Sequence, residues 1–225
     1  MHKVSKQKSY SIAIIVILLI SLSVNVLICL KNKQYSHRIG VNSYKNIEII
    51  KLKNDKNLEI INKAIESYKI SNEELLTLYT NYSDMSDSVV ELWDDYSFYK
   101  ESDKDIFKNK KIDTSTALDN DIYTRIENYL GNTLMNIMST DSDDLKIKGK
   151  DLEDFKVMES LASNMSKIFK TLDDKALSDV ENSDKEKVVI NNKYWVDVLR
   201  EINKVSGKYI DYDFTKDVKK VTTIM

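Results

Sequence analysis

Between Ser11 and Leu30 the chain runs for twenty residues without a charge, closed by Lys8 on one side and Lys31 on the other. At 1.5 Å of rise per residue, a helix of that length covers about 30 Å, the thickness of a bilayer's hydrocarbon core. Ile12, Ile14, Ile15, Val16, Ile17, Leu18, Leu19 and Ile20 make up its first half, and Ser21, Ser23 and Asn25 are the polar interruptions near its middle. An interior helix of a soluble domain seldom stays apolar on every face for so long. Basic residues flank both ends and no comparable run occurs later in the chain, so the segment reads as a membrane-spanning helix.

Two processing signals compete with that reading. Lys3, Lys6 and Lys8 resemble the basic start of a secretory signal peptide, and Ser21-Leu22-Ser23 offers small residues at a cleavable spacing. Cleavage after Ser23 would leave Val24, Val26, Leu27, Ile28 and Leu30 as an apolar new terminus, which favours an uncleaved signal-anchor. The run Val26-Leu27-Ile28-Cys29 resembles the lipobox of bacterial lipoproteins, but the bulky Ile28 stands where a small residue precedes the lipidated cysteine. Cys29 therefore reads as an apolar membrane residue. It is the sole cysteine of the sequence, so no intrachain disulfide and no thiolate metal cluster is expected.

The basic residues on the two sides are nearly balanced: Lys3, Lys6 and Lys8 before the segment face Lys31, Lys33, Arg38 and Lys45 after it. A first hydrophobic segment usually directs export of the chain beyond it, and long domains translocate largely regardless of charge. The expected topology keeps residues 1–10 inside and the large domain outside.

Of the 34 basic side chains, three precede the apolar segment, leaving 31 against all 36 acidic ones in residues 31–225. That acidic balance argues against nucleic acid as a partner. Charge is also segregated, with residues 31–70 basic and residues 71–105 acidic, and a basic stretch beside a membrane is attracted to anionic headgroups.

The sequence has no proline and four glycines, so the polar region reads as long helices. Leu58, Ile61, Ile65, Tyr68, Asn72, Leu75, Tyr79, Tyr82, Ser86, Val89, Trp93 and Tyr96 recur at spacings of three and four, the pattern of one helix face. A single helix over residues 42–100 would be roughly 85 Å long. Leu76, Leu78, Met85, Val90 and Leu92 widen the stripe beyond the seam of a two-stranded coiled coil, which favours an antiparallel bundle or hairpin. Ser71 and Glu74 form a capping-box pattern that would break the helix near Ile70.

A polar connection around residues 103–111 precedes three further amphipathic segments. Leu118, Ile122, Ile126, Tyr129, Leu130, Leu134 and Ile137 mark the first, with Thr114 or Ser115 as cap and Gly131 as a weak point. Leu152, Phe155, Met158, Leu161, Ala162, Met165, Ile168, Phe169 and Leu172 mark the second. Trp195, Val198, Leu199, Ile202 and Val205 mark the third, which Gly207 would close in a left-handed conformation. Residues 139–151 and 178–187 read as solvated loops, and residues 209–214 as an ordered or fraying tail.

The fold expected is all-α: a basic tail over residues 1–10, a transmembrane anchor over 11–30, a basic juxtamembrane helix or linker over 31–57, and a helical domain with a polar tail over 58–225.

The chemistry available is narrow. The two histidines, His2 and His37, lie in the tail and just past the anchor, so neither a Ser-His-Asp set nor a histidine zinc site is expected in the domain. The glycines are isolated, which leaves no phosphate loop or dinucleotide fingerprint. Asp141, Asp143 and Asp144, and likewise Asp211 and Asp213, lack the glycine and closing glutamate of a calcium loop and read as solvated acids. No catalytic residue, cofactor or metal is expected.

The acidic aromatic run containing Trp93, Tyr96, Phe98 and Tyr99 is the candidate interaction surface, with Trp93 and Tyr96 on the stripe and Phe98 and Tyr99 off it. This layout has a general likeness to single-pass scaffold proteins of bacterial envelope and division assemblies. The function expected is a non-enzymatic, membrane-anchored binding or scaffold protein that meets a protein partner or associates with itself through its helices. A tethered carboxylate-based hydrolase and a peptide-capturing sensor or immunity protein are the alternatives.

Burial of apolar side chains in lipid does not respond to salt, so the full-length protein is expected to stay with membranes through high-salt and alkaline washing. Its recovery in the wash would overturn the anchor.

Overall fold

The computed structural model describes residues 2–102, 112, 114, 121–140, 142–181 and 184–214, and the chain divides into two compact units, Met1–Ile39 and Gly40–Met225. Among the described residues there are six α-helices and two three-residue strands, an all-α protein as the sequence predicts. The connection expected around residues 103–111, and Ser115, Leu118 and Asp141, lie outside the described residues.

The first unit is the leading part of α1 (His2–Ser67). Its large apolar side chains from Ile12 to Leu30 are exposed on all faces, with Ile17 at 65% and Leu18 at 63%. This is the one helix among those described that is long and apolar enough to cross a membrane.

The second unit begins at Gly40, where an added Cβ would fall 2.8 Å from Ile190 Cγ2, so the absence of a side chain there permits close packing. From Gly40 on, α1 pairs with α2 (Asn72–Ser102) in an antiparallel hairpin. The reversal is made in four residues. Tyr68 takes a left-handed φ of 55°, β1 (Lys69–Ser71) comes next, and the capping box forms as the sequence predicts. Ser71 Oγ accepts from the Glu74 N–H at 3.2 Å and Glu74 Oε2 accepts from the Ser71 N–H at 3.2 Å. Lys63 and the Ser71 contacts hold the Glu74 carboxyl below its ordinary range. The 59-residue helix is thereby excluded, and Tyr68 sits at the exposed turn instead of on a continuous stripe.

The hairpin uses a different register from the one the apolar residues suggest. The buried face of α2 is Leu75, Leu78, Tyr82, Met85, Val89, Leu92, Tyr96 and Tyr99, with Tyr79 and Trp93 on its flank. The matching face of α1 runs through Ser43, Ile47, Ile50, Asn54, Asn57, Ile61 and Ala64, all buried. Three of these are polar, and each is satisfied. Ser43 Oγ donates to Asp95 Oδ2 at 2.8 Å, Asn57 Oδ1 accepts from Asn81 Nδ2 at 2.7 Å, and Asn54 Nδ2 donates to the Ala162 carbonyl at 3.0 Å and to Ser166 at 2.9 Å. Asn46 adds a bond to Glu91 at 2.9 Å. Core-facing residues therefore begin well before Leu58.

α3 (Ile122–Ser139) packs along α2. Gly131 lets the Tyr79 ring approach, since a Cβ there would lie 3.2 Å from Tyr79 Cε2, and Tyr82 and Tyr123 stack with centroids 6.4 Å apart. Asp121, not Thr114, occupies the N-cap position. Part of the link expected to be a solvated loop is structured: β2 (Asp144–Lys146) pairs antiparallel with β1, Ile70 facing Leu145, and Ile147 is buried beside it. The exposed backbone of the reversal needs partners, and this link supplies them: the Ile147 N–H donates to the Tyr68 carbonyl at 2.9 Å.

α4 (Lys150–Ala176) buries Phe155, Met158, Leu161, Ala162, Met165 and Phe169, with Leu152, Ile168 and Leu172 half-buried, and packs against α6 (Tyr194–Ser206). A short α5 (Lys185–Asn191) arises within and beyond the second expected loop, burying Val189 and Ile190. Gly207 does not close α6 in a left-handed conformation. Its φ is −58°, and the chain tightens into a 3-10 turn over Gly207–Tyr209.

Leu161 is 1% exposed and Lys167 is exposed. Leu161→Asp places an unpaired carboxylate in the core and is expected to cost several kcal/mol, while Lys167→Asp should melt like the parent by circular dichroism. Equal melting of both variants would refute the assigned face.

Burial raises the Asp95 carboxyl above its ordinary range, with Glu91 and Asp94 adding repulsion and the Ser43 bond opposing. A raised folded pKa means stability fully present below the unfolded pKa and lost as pH rises through the folded one. Asp95→Asn, which keeps an acceptor for Ser43, should therefore be more stable than the parent at pH 7 by under about 1 kcal/mol after solvent screening. The gap should close below about pH 4. A variant that melts at or below the parent at pH 7 would contradict this balance.

Candidate functional site

The four aromatic residues of the candidate surface separate on folding. Tyr96 and Tyr99 are 2% and 4% exposed, Trp93 is half-buried, and Phe98 is 63% exposed. Tyr99 lies three residues past Tyr96 and so continues the core stripe, where its ring meets Trp195 edge-on at 5.4 Å and the Lys193 ammonium at 4.8 Å. Phe98 points away from that face.

Trp93 lines a groove of about 510 Å³ between α2 and α3. Val89, Val90 and Tyr123 make its walls, and Asp94, Lys100 and Asp121 bring charge to it. Tyr96 also lines it, held by an edge-to-face contact with Trp93 at 5.9 Å and by the Ile112 N–H, which donates to its hydroxyl at 2.6 Å. Burial of Tyr123 raises its hydroxyl far above the usual range. The groove thus offers an aromatic wall and a few fixed charges, the chemistry of recognition by shape and apolar contact.

A second cluster joins α3, α4 and the tail, and sequence spacing alone did not bring it to notice. Asp154 is fully buried. Its Oδ1 accepts from Lys150 Nζ at 2.7 Å and from the Tyr212 hydroxyl at 2.7 Å, while its Oδ2 is buried without a hydrogen-bond donor among the described residues. Lys150 also donates to the Tyr212 hydroxyl at 2.9 Å and to the Asp213 carbonyl at 3.0 Å, and lies 4.4 Å from the Tyr212 ring centre. Nearby, Tyr129 donates to Asp151 Oδ1 at 2.9 Å.

Desolvation works against the charge on Lys150, yet its bonds to Asp154 and Tyr212 hold it protonated above the ordinary lysine range. Desolvation raises the hydroxyls of Tyr129 and Tyr212, the charges of Asp151 and Asp154 adding to it for Tyr129. At neutral pH the lysine is charged and both tyrosines keep their protons, so the cluster holds groups in place and has no proton poised to move. A signal for it existed in the sequence: Asp154 occupies a position from which Met158, Leu161 and Met165 continue the spacing of one buried helix face.

Among the described residues no group of three or more His, Cys, Asp or Glu side chains is arranged to hold a metal ion. No family model, curated protein or solved structure matches the chain.

Proposed function

We propose that this chain is a single-pass, membrane-anchored and non-enzymatic binding or scaffold protein of a bacterial cell envelope, with residues 1–10 inside and the helical unit outside. The observation that carries the reading is the run of apolar side chains from Ile12 to Leu30, left exposed on every face of the helix. In water such a surface is strongly unfavourable; in a bilayer it is the favourable state.

Binding is favoured over catalysis by the chemistry of the second unit. Its grooved surface is aromatic and apolar, and its buried acid is tied to a lysine and a tyrosine. A protein partner, or a second copy meeting it through helices, suits the half-buried Trp93 and the exposed Phe98 and Val90, and the net acidity of residues 31–225 argues against nucleic acid.

Protease added to intact spheroplasts is expected to digest the helical unit, and digestion that requires lysis would invert the topology. A photo-crosslinking residue at Phe98 is expected to give a discrete protein adduct in membranes, where the same residue at Lys167 gives none. Equal labelling at both positions would remove the basis for a recognition surface on α2.

A further inference from the structure

The tail over Tyr209–Phe214 is held in an unusual way. In helices and sheets a carbonyl pairs with a backbone N–H; here the carbonyls of Ile210 and Tyr212 accept from the Arg125 guanidinium at 2.8 and 2.9 Å, and that of Asp213 accepts from Lys150. The side chains are gripped as well. The Tyr209 hydroxyl accepts from Asn164 Nδ2 at 2.9 Å and lies 3.0 Å from Ser160 Oγ, the Tyr212 hydroxyl is bound by Asp154, and Phe214 is 4% exposed against Tyr129, with centroids 6.0 Å apart. Within the tail, the Tyr212 N–H donates to the Tyr209 carbonyl at 3.0 Å.

This is the contact pattern of a bound peptide. Cationic side chains of α3 and α4 read the backbone, and two aromatic side chains two residues apart, Tyr212 and Phe214, fill the remaining sites. We infer that α3 and α4 form a peptide-recognition cleft, that residues 209–214 occupy it in cis as a detachable strap, and that its ligand in trans is a peptide that makes one turn, as Tyr209–Tyr212 does, and carries aromatic side chains at positions i and i+2 after it. The carbonyl contacts are independent of ligand sequence, while the ring sites and the bond from the Tyr212 hydroxyl to Asp154 Oδ1 favour Tyr at i and Phe at i+2. The inference extends the binding function proposed above to a second site, but it concerns residues other than Trp93 and Phe98 and needs neither the membrane nor the α2 partner.

The test uses the full chain in detergent micelles and a fluorescent peptide of residues 207–214. The double variant Tyr212→Ala with Phe214→Ala removes two of the strap's side-chain anchors and leaves the cleft's own residues intact, so its strap is loosened and it is expected to bind the peptide saturably. The parent, whose cleft is filled at a high effective concentration, should bind at least about tenfold more weakly. Adding Arg125→Ala to the double variant should weaken binding by about tenfold or more. A folded double variant that fails to bind, or that binds equally without Arg125, overturns the cleft. Parent chains that dimerise only with an intact strap would assign the cleft to a second copy's tail and overturn the cis assignment. Should the double variant fail to fold, hydrogen exchange on the parent decides: the Tyr212 amide is expected to exchange at least about 100-fold faster than those of Leu161 and Met165, through local opening. Exchange at the core rate makes the strap a fixed part of the fold and overturns the proposal.

Discussion

Everything in the helical unit hangs on the reversal at Tyr68–Ser71. Without it, α1 would run on and the apolar faces of residues 43–64 and 75–99 would lie end to end with nothing to cover either. Tyr68 supplies the left-handed step, which costs about 1 kcal/mol or more for a residue with a Cβ, and the structure compensates by surrounding the step with contacts. The Ser71–Glu74 box starts α2, β2 covers the open backbone of β1, and Ile70 and Ile147 are buried beneath the pair. The same short ladder ties the link between α3 and α4 to the hairpin, so the turn that makes the hairpin also positions the cleft helices' connection.

The hairpin is then set in register by polar groups. Leu and Ile faces tolerate sliding by a turn at modest cost, but Asn57 against Asn81, Asn46 against Glu91 and Ser43 against Asp95 are satisfied together in one alignment. A shift would strand buried amides, each costing about 1–3 kcal/mol. The buried asparagines thus do for this hairpin what a core asparagine does for a coiled coil, selecting one arrangement among several of similar apolar burial. Asp95 shows the other side of that choice, because its carboxylate is half-desolvated beside Glu91 and Asp94.

The two candidate sites lie on two faces of α3. Towards α2, Tyr123 and Asp121 contribute to the Trp93 groove; towards the tail, Arg125 and Tyr129 hold the strap. Arg125 Nε also pairs with Asp121 at 3.0 Å, so one ion pair spans both features. Both sites offer aromatic surface with fixed charge, the chemistry on which the proposed recognition role rests.

Sequence alone settles whatever depends on local pattern. Twenty uncharged, mostly apolar residues give a helix of membrane-spanning length, the lack of proline and scarcity of glycine favour helix over most of the rest, Ser71 and Glu74 cap a helix because they stand three positions apart, and the stripe from Phe155 to Phe169 gives its helix one inward face. Tertiary structure decided the register of the hairpin, since Ser43, Asn54 and Asn57 are core residues that an apolar pattern passes over and their partners lie on other helices. It also decided that Tyr99 is buried and Phe98 is not, that a polar link pairs as β2, and that Arg125, Lys150, Asp154 and Tyr212 gather around the strap. The physical reason is shared: burying a polar group is favourable only once a specific partner is within hydrogen-bonding distance, and sequence spacing within one helix carries no information about partners brought by another.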